Sequence, residues 1–431
     1  MTLAQLINVL YNVVDRIYIG MLPENSTLAL TGLGVALPLI SAVTAFANLF
    51  GMGGAPLFSI TRGKGNNEEA EYIMGNTFFL LIISGVVLTI LGLIFKRPLL
   101  YLFGASDATI PFADSYITIY LLGTIFVMIG LGMNSFINAQ GFGTIGMLTV
   151  ALGAITNIIL DPIFIFVLDL GVEGAAIATI ISQFVSALWI FTFLRGKKTI
   201  LKLKVCCFKL KAKRVRKIVV LGLSGFIMAI TNSAVQIACN STLQLYGGDL
   251  YVGVMTVINT IREMFMMPVR GITNSAQPVM GFNYGARKYD RVRKAIRFTT
   301  IVCIIYATAV WGIIYLFPAF FIKVFNDNPT LIEVAIPSLR IYFFGFFMMS
   351  LQFAGQSTFV ALGKSRQAIF FSLLRKVIIV VPLTLYLPRI FNLGTTGVFL
   401  AEPISNFIGG LACYLTMLLI VYKKLKSVPV T

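Results

Sequence analysis

Histidine is absent from all 431 residues, and only 12% of them are charged. The first absence excludes His-based triads, imidazole metal ligands and the usual imidazole proton relay, so proton chemistry falls to carboxylates helped by tyrosine. The second excludes an ordinary soluble balance, in which about a quarter of residues are charged. Cysteine is scarce: Cys206, Cys207, Cys239, Cys303 and Cys413 lack paired spacing, and neither a disulfide framework nor a zinc site is readable. Asp and Glu number 16 against 34 Lys and Arg, so each acid inside an apolar run needs a reason to be there.

What the chain has instead is apolar length. Hydrophobic residues make up 58% of it, and the mean hydropathy is +0.91. A bilayer core about 30 Å thick takes roughly 20 apolar residues per helix. Twelve such segments are expected, at 3–22, 33–61, 73–95, 112–138, 144–168, 172–195, 218–246, 251–283, 295–322, 334–361, 366–391 and 396–422. The fold class that follows is an all-α integral membrane protein with no room for a soluble domain. The first segment begins almost at Met1 without a charged flank or signal-peptide layout, and its helix is expected to be shortened.

The net charge of +18 raises the question of a nucleic-acid partner, and its distribution answers against one. Basic residues from Arg195 to Lys217 fill the connection after the sixth segment. Arg287 to Arg297 follow the eighth, Lys364 and Arg366 the tenth, and Lys423 to Lys426 the twelfth. Odd connections carry few, chiefly Lys96, Arg97, Lys323 and Arg389. The positive-inside rule places even connections and both termini in the cytoplasm. The nearest counter-charge is anionic lipid, so membrane lipids are the expected macroscopic partner and no nucleic acid is expected.

The chain also repeats itself. GVEGAAIATIISQF from Gly171 and GTTGVFLAEPISNF from Gly394 agree at six positions, including Gly174/Gly397, Ser182/Ser405 and Phe184/Phe407, at an offset of 223. IYLLG ending at Gly123 matches IYFFG ending at Gly345 at an offset of 222. The expected organisation is a six-helix N-terminal lobe at 1–195, a basic cytoplasmic linker at 196–217 and a six-helix C-terminal lobe at 218–431. Six is even, so both lobes enter the membrane with one orientation and form parallel repeats. Parallel repeats transport by rocking about a site between them. The linker is too charged to enter the bilayer and is expected to lie along the anionic leaflet as a loose tether.

Within the fifth segment, Asn157 and Asp161 stand four residues apart, on one helix face, and Pro162 follows the acid. Proline lacks an N–H, so the Ile158 carbonyl loses its helical donor and turns toward the same place. An intramembrane acid is costly and marks a functional site by default. Asp15 in the first segment and Asp161 in the fifth each lie about seven residues from the outer end, roughly 10 Å at 1.5 Å per residue. Thr179, in the sixth segment entering from outside, reaches the same level. Two carboxylates, an amide and a hydroxyl suit a hard cation such as Na+, or a proton shared between acids that cannot both ionise cheaply. The alternative is structural, with Asp15 paired to Arg16 and Asp161 a satisfied packing acid.

LYNVVDRIYIG, GMGGAPLFSITRGKGNNEEA, NIILDPIFIF, GVEGAAIATIISQF and QPVMGFNYGA resemble the motifs of the multidrug and toxic compound extrusion (MATE) transporters, in the DinF/MepA-like branch. The resemblance covers nearly the whole chain in order. It implies that Asp15, Asn157, Asp161 and Thr179 form the cation site of the N-terminal lobe, the same four residues that depth selects. The related NorM branch carries acids in its seventh and tenth helices, where this chain has Gln236, Gln352 and Gln356. The repeat puts Leu243 opposite Asp15 and Leu383 opposite Asp161. Only Glu402, opposite Thr179, survives as an acid, either a second titratable site or a packing acid, with packing favoured.

The implied activity is cation-coupled antiport, by proton or sodium, that exports amphipathic, often cationic, compounds by alternating access across a bacterial or archaeal cytoplasmic membrane. It needs no cofactor, is not an enzyme and works as a monomer. Intramembrane amides usually point inward, so Asn134, Asn138, Gln140, Gln352 and Gln356, with flexible Met264, are the expected pocket residues. Arg262, Glu263 and Arg270 are expected either to pair locally or to meet an anionic group. A flippase for lipid-linked saccharides is the rival, weakened by twelve spans and an expected scarcity of buried arginine. A membrane-embedded enzyme is the remote alternative.

Overall fold

The computed structural model describes residue 7 and residues 18–19, 26–103, 105–324 and 329–426. Among them, helix is the only extended regular structure. In chain order the first unit carries α1 (Ser26–Gly63), α2 (Asn67–Leu102), α3 (Ile110–Leu122), α4 (Thr124–Ala139), α5 (Gly143–Pro162) and α6 (Gly171–Arg195). Next come α7 (Ala212–Gly248) and α8 (249–285), separated at Gly248 by an extended, positive-φ backbone. The remainder comprises α9 (Tyr289–Leu316), α10 (Pro318–Lys323), α11 (Pro329–Phe343), α12 (Phe346–Ala361), α13 (Ser365–Leu373), α14 (Val381–Tyr386), α15 (Gly394–Ser405) and α16 (Leu411–Met417).

Eight of these stretches are long and apolar enough to span a membrane alone, and two bent pairs raise the number to ten. The pairs bend where sequence places glycine: α3 and α4 meet at 58° and α11 and α12 at 44°, around Gly123 and Gly345. Helix α8 is a further stretch of spanning length, made less apolar by Arg262, Glu263 and Arg270. Eleven of the twelve expected segments are therefore described. The first, with Asp15, lies outside the described residues apart from helical positions 7, 18 and 19.

The chain divides into two compact units, Leu3–Gly222 and Leu223–Thr431. The repeat is written into their backbones. Asp169 and Asn392 both take the left-handed conformation, at φ 53° and 52°, and two residues on so do Gly171 and Gly394, at 52° and 51°. Asp and Asn tolerate that region best among residues with a side chain. A Cβ on Gly174 would lie 2.6 Å from the Phe164 carbonyl carbon, and one on Gly397 2.8 Å from that of Leu387. Each glycine lets its helix touch the preceding segment at the matching place.

The linker departs from expectation. It packs against the first unit along its length, because α2 presents polar side chains that its backbone needs. Asn76 donates to the carbonyls of Cys207 and Lys209, at 2.8 and 3.0 Å, and accepts from Lys211 N–H at 3.3 Å. Glu71 accepts from Lys202 N–H at 3.2 Å and from Lys204 Nζ at 2.5 Å. Arg214 grips Glu69 with two nitrogens, at 2.7 and 2.6 Å, and lies over the Tyr72 ring. Charge-assisted and two-pronged contacts of this kind hold better than single neutral bonds. The start of α7 is clamped as well, since Gly53 and Gly222 bring α1 and α7 backbones together with no space for a Cβ.

Candidate functional site

Helix α5 is built to break at its acid. Pro162 ends the regular helix, and Ile163–Val167 continues as a π-turn in which Leu168 N–H donates to the Ile163 carbonyl at 2.9 Å. Such turns occur frequently at functional sites. Just before the break, Asn157 donates from Nδ2 to Asp161 Oδ1 at 3.0 Å. The two side chains are 1% and 0% exposed. Thr179 on α6 is also buried, and its carbonyl accepts from Ser182 Oγ at 2.7 Å. Two close approaches set the register of α5 against α6: Phe164 meets Gly174, and Gly153 meets Ser186. Thr179 lies between those anchors on α6, as Asn157 and Asp161 lie between theirs on α5. The three residues therefore share one level of the helix pair. A cavity opens one turn away, lined by Thr149, Gly153, Ser182, Gln183 and Ser186.

The second unit holds a different cluster at the matching place. Glu402 occupies the repeat position of Thr179, and the same hydrogen bond marks it, Ser405 Oγ donating to the Glu402 carbonyl at 2.8 Å. Its carboxylate accepts from Arg375 at 2.8 Å and from Lys376 Nζ at 3.2 and 3.4 Å. Arg375 also donates to Asn406 Oδ1 at 2.6 Å. All four side chains are buried. Beside them Arg262 donates to Tyr342 Oη at 2.8 Å and to Glu263 at 3.1 Å, and Arg270 pairs with Glu263 at 2.9 Å. Where the first unit sets Gly153 on Ser186, the second sets Arg375 on Gly409. The repeat offset is 222 from Gly153 to Arg375 and 223 from Phe164 to Leu387. The π-helical stretch Leu374–Val380 contains Arg375 and ends before Leu387, and a π-bulge accommodates one added residue.

A family model described as MatE matches residues 1–163 and 225–386, well over half of the chain. The chain belongs to the MatE family. Its relatives include the multidrug export protein MepA of Staphylococcus haemolyticus, 24% identical over 421 residues and covering 96% of this chain and 91% of that protein. MepA of Staphylococcus aureus strain MRSA252 is 23% identical over 427 residues, covering 98% and 91%. Among solved structures, a MATE protein in its bent conformation superposes with a TM-score of 0.93 at 24% identity, covering 99% of this chain and 94% of the other. A MOP superfamily transporter from Pyrococcus furiosus, whose reverse-polarity binding pocket is described as suggesting a different function, matches at 0.92 and 24% identity, covering 99% and 95%. The fold is that of MATE transporters, and the eleven spanning segments among the described residues are consistent with its twelve-helix arrangement.

In this MatE protein the expected pocket residues separate into four groups. Gln352 and Gln356 line a cavity of the second unit, where Gln356 donates to Ser372 Oγ at 2.6 Å. Gln140 fastens the linker instead, because its Oε1 accepts from Thr199 Oγ1, Ile200 N–H and Leu201 N–H at 2.9, 2.9 and 2.8 Å. Asn134 and Asn138 serve the α4–α5 corner, Asn134 donating to the Gly146 carbonyl at 3.2 Å and Asn138 to the Asn134 carbonyl at 3.0 Å. Met264 is 44% exposed and lines neither cavity of the second unit. Among the described residues of the spans, Arg375 is a buried arginine, 2% exposed. Arg375 and Lys376 escaped notice although their signal was plain, two adjacent cations inside the apolar run 366–391.

Proposed function

We propose that this chain is a cation-coupled multidrug exporter, an antiporter that exchanges a proton or sodium ion for amphipathic, often cationic, organic compounds by alternating access. The observation that carries the proposal is the Asn157–Asp161 pair, sealed from solvent at the π-turn of α5 with Thr179 at its level. An acid inside a membrane segment marks a functional site by default, and a carboxylate set beside an amide and a hydroxyl offers the oxygen ligands that a proton or a hard metal cation takes. Asp15 completes it as a second carboxylate, proposed from its depth in the sequence. Occupation and discharge of the site would then bias the access state, since a ligand shifts a two-state equilibrium by its differential affinity. Family membership and the MepA relatives support export of multiple drugs. The protein would act as a monomer in the cytoplasmic membrane with both termini inside.

Proteoliposomes with imposed gradients test the proposal. Uphill transport of ethidium driven by a pH or sodium gradient supports it and identifies the ion. Ethidium flux that ignores both gradients would overturn it. The rival of lipid-linked saccharide flipping keeps twelve expected spans and few buried arginines against it.

A further inference from the structure

The second unit contains two adjoining cavities that share Asn232, Arg262 and Lys376 in their walls. Counted together, the walls carry four cations, Arg262, Arg270, Arg375 and Lys376, against two acids, Glu263 and Glu402. The internal pairs therefore leave a surplus of two positive charges, with Arg375, Lys376 and Glu402 buried and Arg270 and Glu263 partly exposed. Donors are left over as well. Arg375 Nε has no hydrogen-bond partner among the described residues although the side chain is 2% exposed, and the buried Nε atoms of Arg262 and Arg270 are in the same position. Buried donors on a cation are normally satisfied, so a set of them facing one cavity calls for an acceptor from outside. Met349 and Phe353 give the cavity of Arg270 and Arg375 an apolar wall.

We infer that the second unit binds an amphipathic organic anion, with its carboxylate, sulfonate or phosphate on Arg270 and Arg375 and its apolar body against Met349 and Phe353. The fork of a guanidinium suits such oxyanions, and each of these arginines keeps an Nε–H donor beyond those it gives to its internal partners. Glu402 is the internal competitor, since it already occupies one Arg375 nitrogen and Lys376. The site goes beyond the coupling of a cation in the first unit, and its occupancy does not depend on transport.

The test uses purified full-length protein in a non-ionic detergent and the fluorescent anion carboxyfluorescein, followed by anisotropy. Saturable binding is expected, weakened at least tenfold by Arg270→Gln and by Arg375→Gln. Glu402→Gln should tighten it several-fold by freeing two cations, whereas Arg366→Gln, exposed on α13, should leave it unchanged. Arg270 is the less enclosed of the two arginines and carries the test where Arg375→Gln fails to fold. Displacement by dioctanoyl phosphatidylglycerol below its micelle concentration would assign the site to a lipid headgroup, and displacement only by soluble carboxylates or sulfonates to free anions. Absence of saturable binding, or binding that monodisperse Arg270→Gln protein retains in full, would overturn the inference.

Discussion

Replacing Glu402 by Gln leaves Arg375 and Lys376 facing a neutral amide. In the native protein the carboxylate takes contacts at 2.8, 3.2 and 3.4 Å from those cations, and the acid is 4% exposed. Removing one partner of a buried ion pair costs about 3–5 kcal/mol, because the remaining charges stay desolvated. Gln keeps one oxygen for Arg375, so the lower end of that range applies. At about 2–4 °C per kcal/mol for a unit of this size, the melting midpoint in detergent should fall by about 10 °C. The double variant Glu402→Gln/Lys376→Met removes a cation as well as the acid and should recover about half of the loss. Gradient-driven efflux, measured below the lowered midpoint, should stay within about threefold of wild type, because 1.4 kcal/mol per decade leaves room for only a small barrier change if the acid does not couple. A midpoint within about 2 °C of wild type would refute the ion-pair reasoning. Normal melting with efflux abolished would instead make Glu402 a coupling residue.

Asp15→Asn should lose gradient-driven efflux as completely as a change at Asp161, measured in the same vesicles at matched expression. Gly174→Leu forces a side chain into the Phe164 backbone, where even a Cβ would lie at 2.6 Å; overpacking of about 1–3 kcal/mol should lower the melting midpoint and disturb the level shared by Asn157, Asp161 and Thr179. Burial pushes the Cys207 thiol up to about 11, while Cys206 beside it is exposed. Maleimide should therefore label Cys206 at pH 7.5 and spare Cys207, whose reactive thiolate forms only as the pH approaches that value; equal labelling of both at pH 7.5 would show that the linker is not docked. Asn76→Ala removes three linker hydrogen bonds and should make Cys207 reactive at neutral pH without changing membrane insertion.

Most of the span pattern could be read from the chain because lipid imposes length and apolarity on each helix. The repeat was legible for a related reason: glycines that allow close helix contact, such as Gly174 and Gly397, have no substitute. Asn157 and Asp161 stood out since an amide and an acid in an apolar run have few structural excuses. Other features depend on partners that are distant in sequence. Gln140 looked like a pocket amide, but its oxygen serves backbone roughly sixty residues later. The linker looked free because its charges were counted without Asn76, Glu71 and Glu69, which lie on another helix. Arg375 and Lys376 were passed over inside a long apolar run, where averaging hides two charges, and Glu402 was weighed without them.

The central claim is that Asp161 holds the ion whose movement drives export, and Asp161→Asn tests it most directly. The amide preserves shape and an oxygen for Asn157 Nδ2, which now bonds Asp161 at 3.0 Å, but removes the charge that attracts a cation. In proteoliposomes carrying equal amounts of folded protein, the wild type should accumulate ethidium against its gradient when the coupling ion gradient is imposed. The variant should show less than a tenth of that rate with an unchanged melting midpoint. Wild-type accumulation by the variant would contradict the account.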